Sequence, residues 1–190
     1  MTKLKCEIEL ELKDKDGKLL EKSSFPSHTY LVPFFTILNV HFAQRDMYIT
    51  RTDGTSAITY ITNGNSGMNL SANGGYGEGK GIVIGTSDFA YSPTQYKLQS
   101  PISHGSGVGQ MLYGIQTIDP PQQVTGGYRF VLSRVFTNSS GASITVKEIG
   151  ICLYVYSNTY LMMTRDVITP VTVGNGQSLT VRYIISLTSS

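Results

Sequence analysis

Residues 144–187 contain three runs of β-branched, aromatic and other apolar residues, parted by the polar pairs Ser157-Asn158 and Asn175-Gly176. Apolar runs broken by tight polar turns are the pattern of successive antiparallel strands. The remaining elements read as packed against this region or looped out of it. The expectation is a strand over 143–156, the longest in the chain and bulged at Gly150. A return over 160–167, a short run at 171–173 and a last strand over 178–187 follow it.

Residues 3–13, KLKCEIELELK, alternate strictly. Leu4, Cys6, Ile8, Leu10 and Leu12 fall on one side and the Lys and Glu residues on the other, the period of a half-buried strand. So many charges require water or charged partners. Asp14-Lys15-Asp16-Gly17 is turn chemistry, with 18–21 returning as a partner strand. A DxDG lacking the further oxygen donors and closing Glu of a calcium loop is read as a turn.

Residues 27–44 carry Leu31, Phe34, Phe35, Leu38 and Phe42 at spacings of three and four, which predicts one α-helix near residues 28–44. Pro33 is best tolerated in a first turn, so the start is drawn toward Val32. A helix this apolar needs cover on most sides, from a sheet or from a neighbouring subunit. Residues 47–62 read as a hairpin about Asp53-Gly54, and the Gly- and Asn-rich stretch 63–81 as a long surface loop. Residues 128–137 form a further strand.

Composition narrows the classes. With 20 Gly, 12 Tyr, no Trp and a formal charge of +2, the chain suits short strands and turns. Its Lys and Arg form no run, so no nucleic acid is expected as a partner. No apolar run approaches the ~20 residues that span a bilayer, so no membrane partner is expected either. The first ten residues alternate and have no signal-peptide h-region. At this length about 70% of the unfolded surface is buried on folding, and one domain over 1–190 is expected. Cys6 and Cys152 lie in apolar strand-like runs and read as buried free thiols, a disulfide between the first and a late strand being the alternative.

No pattern carries chemistry. Gly74, Gly79 and Lys80 have the spacing of a phosphate-binding loop, but Gly81 replaces the hydroxyl residue and a strand follows in place of a helix. Gly105, Gly107 and Gly109 suggest a dinucleotide fingerprint, but position 110 is Gln and no acidic residue follows at the right distance, so they read as a flexible loop. His28, His41 and His104 have no ligand partners at metal spacing. Ser133 and Ser186 have no base. Arg134, Glu148, Arg165 and Asp166 form the one polar cluster in apolar strands, and a structural ion pair between Glu148 and Arg165 on adjacent strands is preferred to acid–base chemistry. No catalytic, cofactor or metal residue is assigned. Asn69 and Asn138 fit the glycosylation pattern, which needs a secretory route.

Several stretches carry a family resemblance. Ile82-Val83-Ile84-Gly85-Thr86 runs toward Pro93-Thr94, read as opening a short helix with Tyr96 and Leu98, and exits at Pro101-Ile102. Farther on come residues 136–151, FTNSSGASITVKEIGI, then Leu161 through Arg165-Asp166-Val167 to 170–173, PVTV, and 176–184, GQSLTVRYI. Together with the opening strand, turn and helix, these resemble structural proteins of tailed bacteriophages, over most of the chain outside 45–80. The resemblance implies a non-enzymatic virion protein made in a host cytoplasm, a capsid decoration or minor capsid protein. Its partners would be copies of itself and other virion proteins.

The expected architecture is a mainly β, antiparallel sandwich, jelly-roll-like, with one helix. Loops 63–81 and 103–127 are the expected contact surfaces. The alternative is a carbohydrate- or receptor-binding module of a phage tail or adhesin, with Tyr76, Tyr91, Tyr96, Tyr113 and Tyr128 as a platform stacking on a glycan.

Overall fold

The computed structural model describes residues 2–27, 29–43, 47–59, 70, 72, 79–155 and 159–189. Along the chain these form β1 (Thr2–Lys13), β2 (Leu19–Pro26), α1 (Val32–Ala43), β3 (Met47–Thr50), β4 (Ser56–Thr59), β5 (Gly81–Gly85), β6 (Leu112–Tyr113), β7 (Thr117–Ile118), β8 (Gln122–Val124), β9 (Gly127–Thr137), β10 (Ile144–Tyr154), β11 (Tyr160–Val173) and β12 (Ser178–Ser189).

The molecule is mainly β and antiparallel. One sheet runs β2-β1-β12-β9, its far edge made of β6, β7 and β8, which pair one after another along β9; a second runs β11-β10-β5. The two pack face to face as a sandwich around a shared core, to which β1 gives Ile8, Leu10 and Leu12, β12 gives Leu179, Val181 and Tyr183, β9 gives Leu132 and Phe136, and β10 gives Val146, Ile149 and Ile151. This strand order does not establish a jelly roll, whose eight strands form two Greek keys.

The strict alternation of β1 is satisfied on both faces. Cys6, Ile8, Leu10 and Leu12 reach the core, while Glu9 and Glu11 on the outer face meet Lys22 of β2 at 2.8 and 3.2 Å and Arg182 of β12 at 2.7 and 3.0 Å. Partial burial acts against Glu11, but hydrogen bonds from Arg182 and Lys22 hold its carboxyl below the ordinary range. The turn before β2 is closed by Asp14, whose Oδ1 accepts the N–H groups of Asp16 and Lys18 at 2.9 Å.

The helix begins at Val32, five residues after Ser27. Residues 29–31 are already committed to extended pairing with β11: Leu31 N–H donates to the Met163 carbonyl, Arg165 N–H to the Thr29 carbonyl, and Tyr30 bridges Thr164. Pro33 then falls in the first turn, where no intrahelical donor is needed. The expected hairpin is present as β3 and β4 over 47–59; Asp53 Oδ1 accepts the Thr55 N–H at 2.8 Å, and residues 60–62 lie outside the described residues. So does most of the 63–81 stretch.

Four sequence expectations are corrected. The 103–127 stretch is not a loop but holds β6, β7 and β8. Its glycine cluster is hydrogen-bonded rather than loose, with Gly105 N–H donating to the Met111 carbonyl, Met111 N–H to the Ser103 carbonyl and Gln110 N–H to the Gly107 carbonyl. Pro93-Thr94 makes one turn, closed by the Gln95 N–H on the Ser92 carbonyl, and starts no helix. β11 runs unbroken for 14 residues through Pro170 and is longer than the 11-residue β10. Pro170 falls between Val167 and Val171, where the register with β10 shifts and β11 has no ladder partner, so its missing N–H leaves no ladder bond unmade.

Gly150 marks close packing rather than a bulge. It stays in register with Arg165 and with Val83, and the register shifts fall on either side of it. A Cβ there would press on the Thr164 carbonyl and on the Met162 sulfur at 2.9 Å. Gly150→Ala is expected to lower stability by about 1–3 kcal/mol, measured as a fall in the urea midpoint with an unchanged slope.

Cys6 and Cys152 are both buried free thiols. Burial, with the Asp166 charge adding to it, pushes the Cys6 thiol up to about 11, and burial pushes Cys152 up to about 12. Both folded values exceed the ordinary value of 9.0. Their stabilising effect is therefore complete below pH 9 and lost as pH rises through about 11 and 12. At pH 8 neither thiol is expected to react with a disulfide reagent within minutes, and both react once the chain is unfolded in guanidinium. A rapid titration of either in the native protein contradicts this.

Candidate functional site

The four charged residues that cluster in the sequence are separated by the fold into three buried networks. Arg165 and Asp166 are neighbours on β11 and so point to opposite faces. Arg165 faces away from the other sheet, beneath the 86–103 segment. Its Nε donates to Glu148 Oε2 at 2.6 Å, Nη1 to Gln95 Oε1 at 3.0 Å and Nη2 to the Phe89 carbonyl at 2.9 Å. Glu148 also accepts the N–H groups of Gln99 at 3.1 Å and Ser100 at 2.8 Å. Both side chains are completely buried, on adjacent strands as the sequence suggested. The pair is thus a clamp that ties 86–103 to the sheet.

Gly85 lies where this clamp passes closest to β5. A Cβ there would meet Glu148 Oε1 at 2.5 Å and the Ser100 carbonyl at 2.6 Å. Nothing larger than glycine fits without moving the carboxylate.

Asp166 faces the space between the sheets. It accepts hydrogen bonds from Ser27 Oγ at 3.0 and 3.1 Å, from Tyr183 Oη at 3.2 Å and from Thr29 Oγ1. Burial, followed by the Asp166 charge, raises the Tyr183 phenol well above its ordinary value, so it acts as a donor. Arg134, completely buried on β9, donates through Nε to the Gly114 carbonyl and through Nη1 to the carbonyls of Lys80 and Ile82, each at 2.9 Å. Its guanidinium lies 4.7 Å from the Tyr113 ring centroid. Burial draws its pKa down to about 10, which leaves it charged at neutral pH.

Arg134 acts together with Gln116 and Tyr113 to close the edge of β5 that faces away from β10. Gln116 Oε1 accepts the Ile82 N–H at 2.6 Å, and Tyr113 Oη lies 3.4 Å from the main chain of Ile84. With the Ile102 N–H, which donates to the Ile84 carbonyl at 3.0 Å, the three side chains protect an edge that would otherwise expose its donors and acceptors.

The five tyrosines do not form one platform. Tyr113 is a correction: at 2% exposure it lies in the core, where its hydroxyl donates to the Ile102 carbonyl at 2.7 Å and its ring meets Phe136 edge-on. It alternates inward from β6, so proximity to a loop did not make it a surface residue. Tyr91 is partly exposed, with its hydroxyl donating to the Tyr30 carbonyl at 2.6 Å. Tyr96 packs beside Gly54 of the β3–β4 turn, with Lys97 over its ring. Tyr128 is exposed on β9, and Tyr76 lies outside the described residues. Asn138 cannot carry a glycan as folded: its side chain is buried, donates to the carbonyls of Ala142 and Val173 and accepts from Ser140. Asn69 lies outside the described residues.

Sequence reasoning missed the exposed apolar surface on α1. The helix contains no Asp, Glu, Lys or Arg, and only part of it packs on β11 and β3. Val32 and Phe35 remain exposed, and Tyr48 of β3, exposed by 72%, lines a shallow cavity with Val32 and Thr36. The signal was present in the absence of charge from all sides of the helix; which side would be left open was not. Among the described residues no three His, Cys, Asp or Glu side chains are grouped as a metal would need.

No family model, curated protein or solved structure matches the chain.

Proposed function

We propose that this chain is a non-enzymatic structural component of a tailed-phage virion, a decoration or minor capsid protein that assembles with copies of itself and with other virion proteins. The reading rests on the resemblance of its strand-and-turn motifs to such proteins. The observation that carries it is the uncharged helix α1 with Val32, Phe35 and Tyr48 left exposed. A helix this apolar and without charge ordinarily buries most of its surface, and exposed apolar patches mark sites of association. The buried charges agree with a scaffold role, because the bonds of Glu148, Arg165 and Arg134 hold loops and a sheet edge in place. A rigid sandwich repeated on a symmetric lattice adds weak contacts by avidity.

Size-exclusion chromatography with light scattering tests the reading. A mass that is a small multiple of the 20.8 kDa chain is expected, falling to one copy in Phe35→Glu combined with Tyr48→Glu. A stable monomer that also binds no purified phage particle would sink the proposal.

A further inference from the structure

Among the described residues, sheet pairing leaves part of β1 uncovered. β2 ends opposite Glu7 with Pro26, and the last bond from that side is the Ser27 N–H donating to the Cys6 carbonyl at 2.8 Å. Alternate residues of a strand direct their main-chain groups to the same edge, so the N–H and C=O of Leu4 face outward from this edge, past the end of β2. On the opposite side β1 continues in full register with β12 as far as Thr2.

The core-side face is uncovered at the same place. Leu4, Leu187 and Tyr128 lie in one register row across β1, β12 and β9, and they are exposed by 67%, 47% and 55%. The next row inward, Cys6, Ile185 and Phe130, is buried or partly buried. Beside the open edge lies a cavity of about 490 Å³ walled by Leu4, Cys6, Phe25, Pro26, Ser27 and Tyr30, to which Lys5, Glu7 and Ser24 also contribute. Burial pushes the Tyr30 phenol up to about 12 and the Cys6 thiol up to about 11, so both walls are neutral.

Charge selects the occupant. Where β2 covers β1, its Lys22 stands against Glu9 and Glu11. Glu7, opposite the last residue of β2, is engaged by Ser24, and beyond it the sign on the outer face reverses: Lys5 is exposed and is in no ion pair among the described residues. A strand laid here meets main-chain donors and acceptors at its edge, a largely apolar cavity on one face and the Lys5 cation on the other.

We propose that the uncovered edge of β1 is an acceptor site for an extended segment of a partner protein, alternating acidic residues on the outer face with an aliphatic or aromatic residue that enters the cavity. The site does not depend on the virion reading, since the edge, cavity and charges are properties of this fold whatever assembly it joins. A second copy of β1 is a poorer occupant: antiparallel pairing about Leu4 sets Lys3 opposite Lys5.

The test uses the full chain with acetyl-Glu-Phe-Glu-Leu-Glu-amide and its Lys-for-Glu counterpart as probes. Titration calorimetry is expected to show the acidic peptide binding at least about tenfold more tightly than the basic one, with the Leu4 amide gaining protection from hydrogen exchange. Lys5→Glu is expected to reverse that preference, and Leu4→Asp to abolish binding. These residues are exposed, and unchanged melting curves verify that the variants fold. Equal affinity for the two peptides, no binding of either, or a preference unaltered by charge reversal would overturn the proposal. So would Leu4 protection that grows with protein concentration without peptide, which would assign the edge to a second copy.

Discussion

Glu148→Ala is expected to destabilise the fold by about 3–5 kcal/mol, seen as a lower guanidinium midpoint at constant slope. The substitution leaves the Arg165 guanidinium buried without its carboxylate, and it removes the acceptor for the Gln99 and Ser100 N–H groups. An unpaired buried charge outweighs the modest net worth of the ion pair itself. Hydrogen exchange adds a local reading, with Gln99 and Ser100 losing protection more than the amides of β1 or β12. Glu148→Leu combined with Arg165→Met removes both charges and is expected to recover part of the loss. About 2 kcal/mol remains, because the Gln99 and Ser100 amides and the Phe89 carbonyl still lose their partners. Full recovery in the double variant would show that the pair does not anchor 86–103.

Arg134→Met is expected to cost about 3–4 kcal/mol. Methionine fills much of the same volume, so the loss comes from the carbonyls of Gly114, Lys80 and Ile82, which lose their charged donor within the core. The desolvation that lowers the Arg134 pKa to about 10 offsets part of this, since removing the charge removes that burden. Arg134→Lys keeps a charge but not the fork that reaches both sheets, and is expected to lie between the two. Amide exchange at β5 distinguishes an edge effect from general destabilisation. If Ile82 and Ile84 exchange no faster than β10 at matched global stability, Arg134 does not close that edge.

Much of the fold is legible in the residues. The period of two in β1, the turn at Asp14, the hairpin at Asp53-Gly54 and the strand runs after residue 127 follow from local pattern, because alternation and turn chemistry act within a few residues. The Glu148–Arg165 pair was also legible, since two opposite charges in apolar strands have few ways to be buried. The candidate surfaces were less so. Tyr113 and Tyr91 look alike in sequence, yet one is sealed into the core and the other lies on the surface. Loop proximity did not separate them, because the inward direction of β6 is set by its pairing with Thr137 and Phe136 of β9.

The same contrast holds for residues 144–187. By itself the sequence determined that this stretch is extended, apolar and punctuated at Asn175-Gly176. Only the tertiary structure decided that the punctuation is a crossing between layers: β11 stays with β10 in one sheet, while β12 enters the other between β1 and β9. A tight turn constrains the direction of the chain locally, but the partner of each strand depends on which distant strands offer a matching apolar face. β12 finds a longer match in β1, 12 residues in continuous register, than adjacency to β11 could provide. That choice carries β1 and β12 together past the end of β2 and leaves Leu4 uncovered.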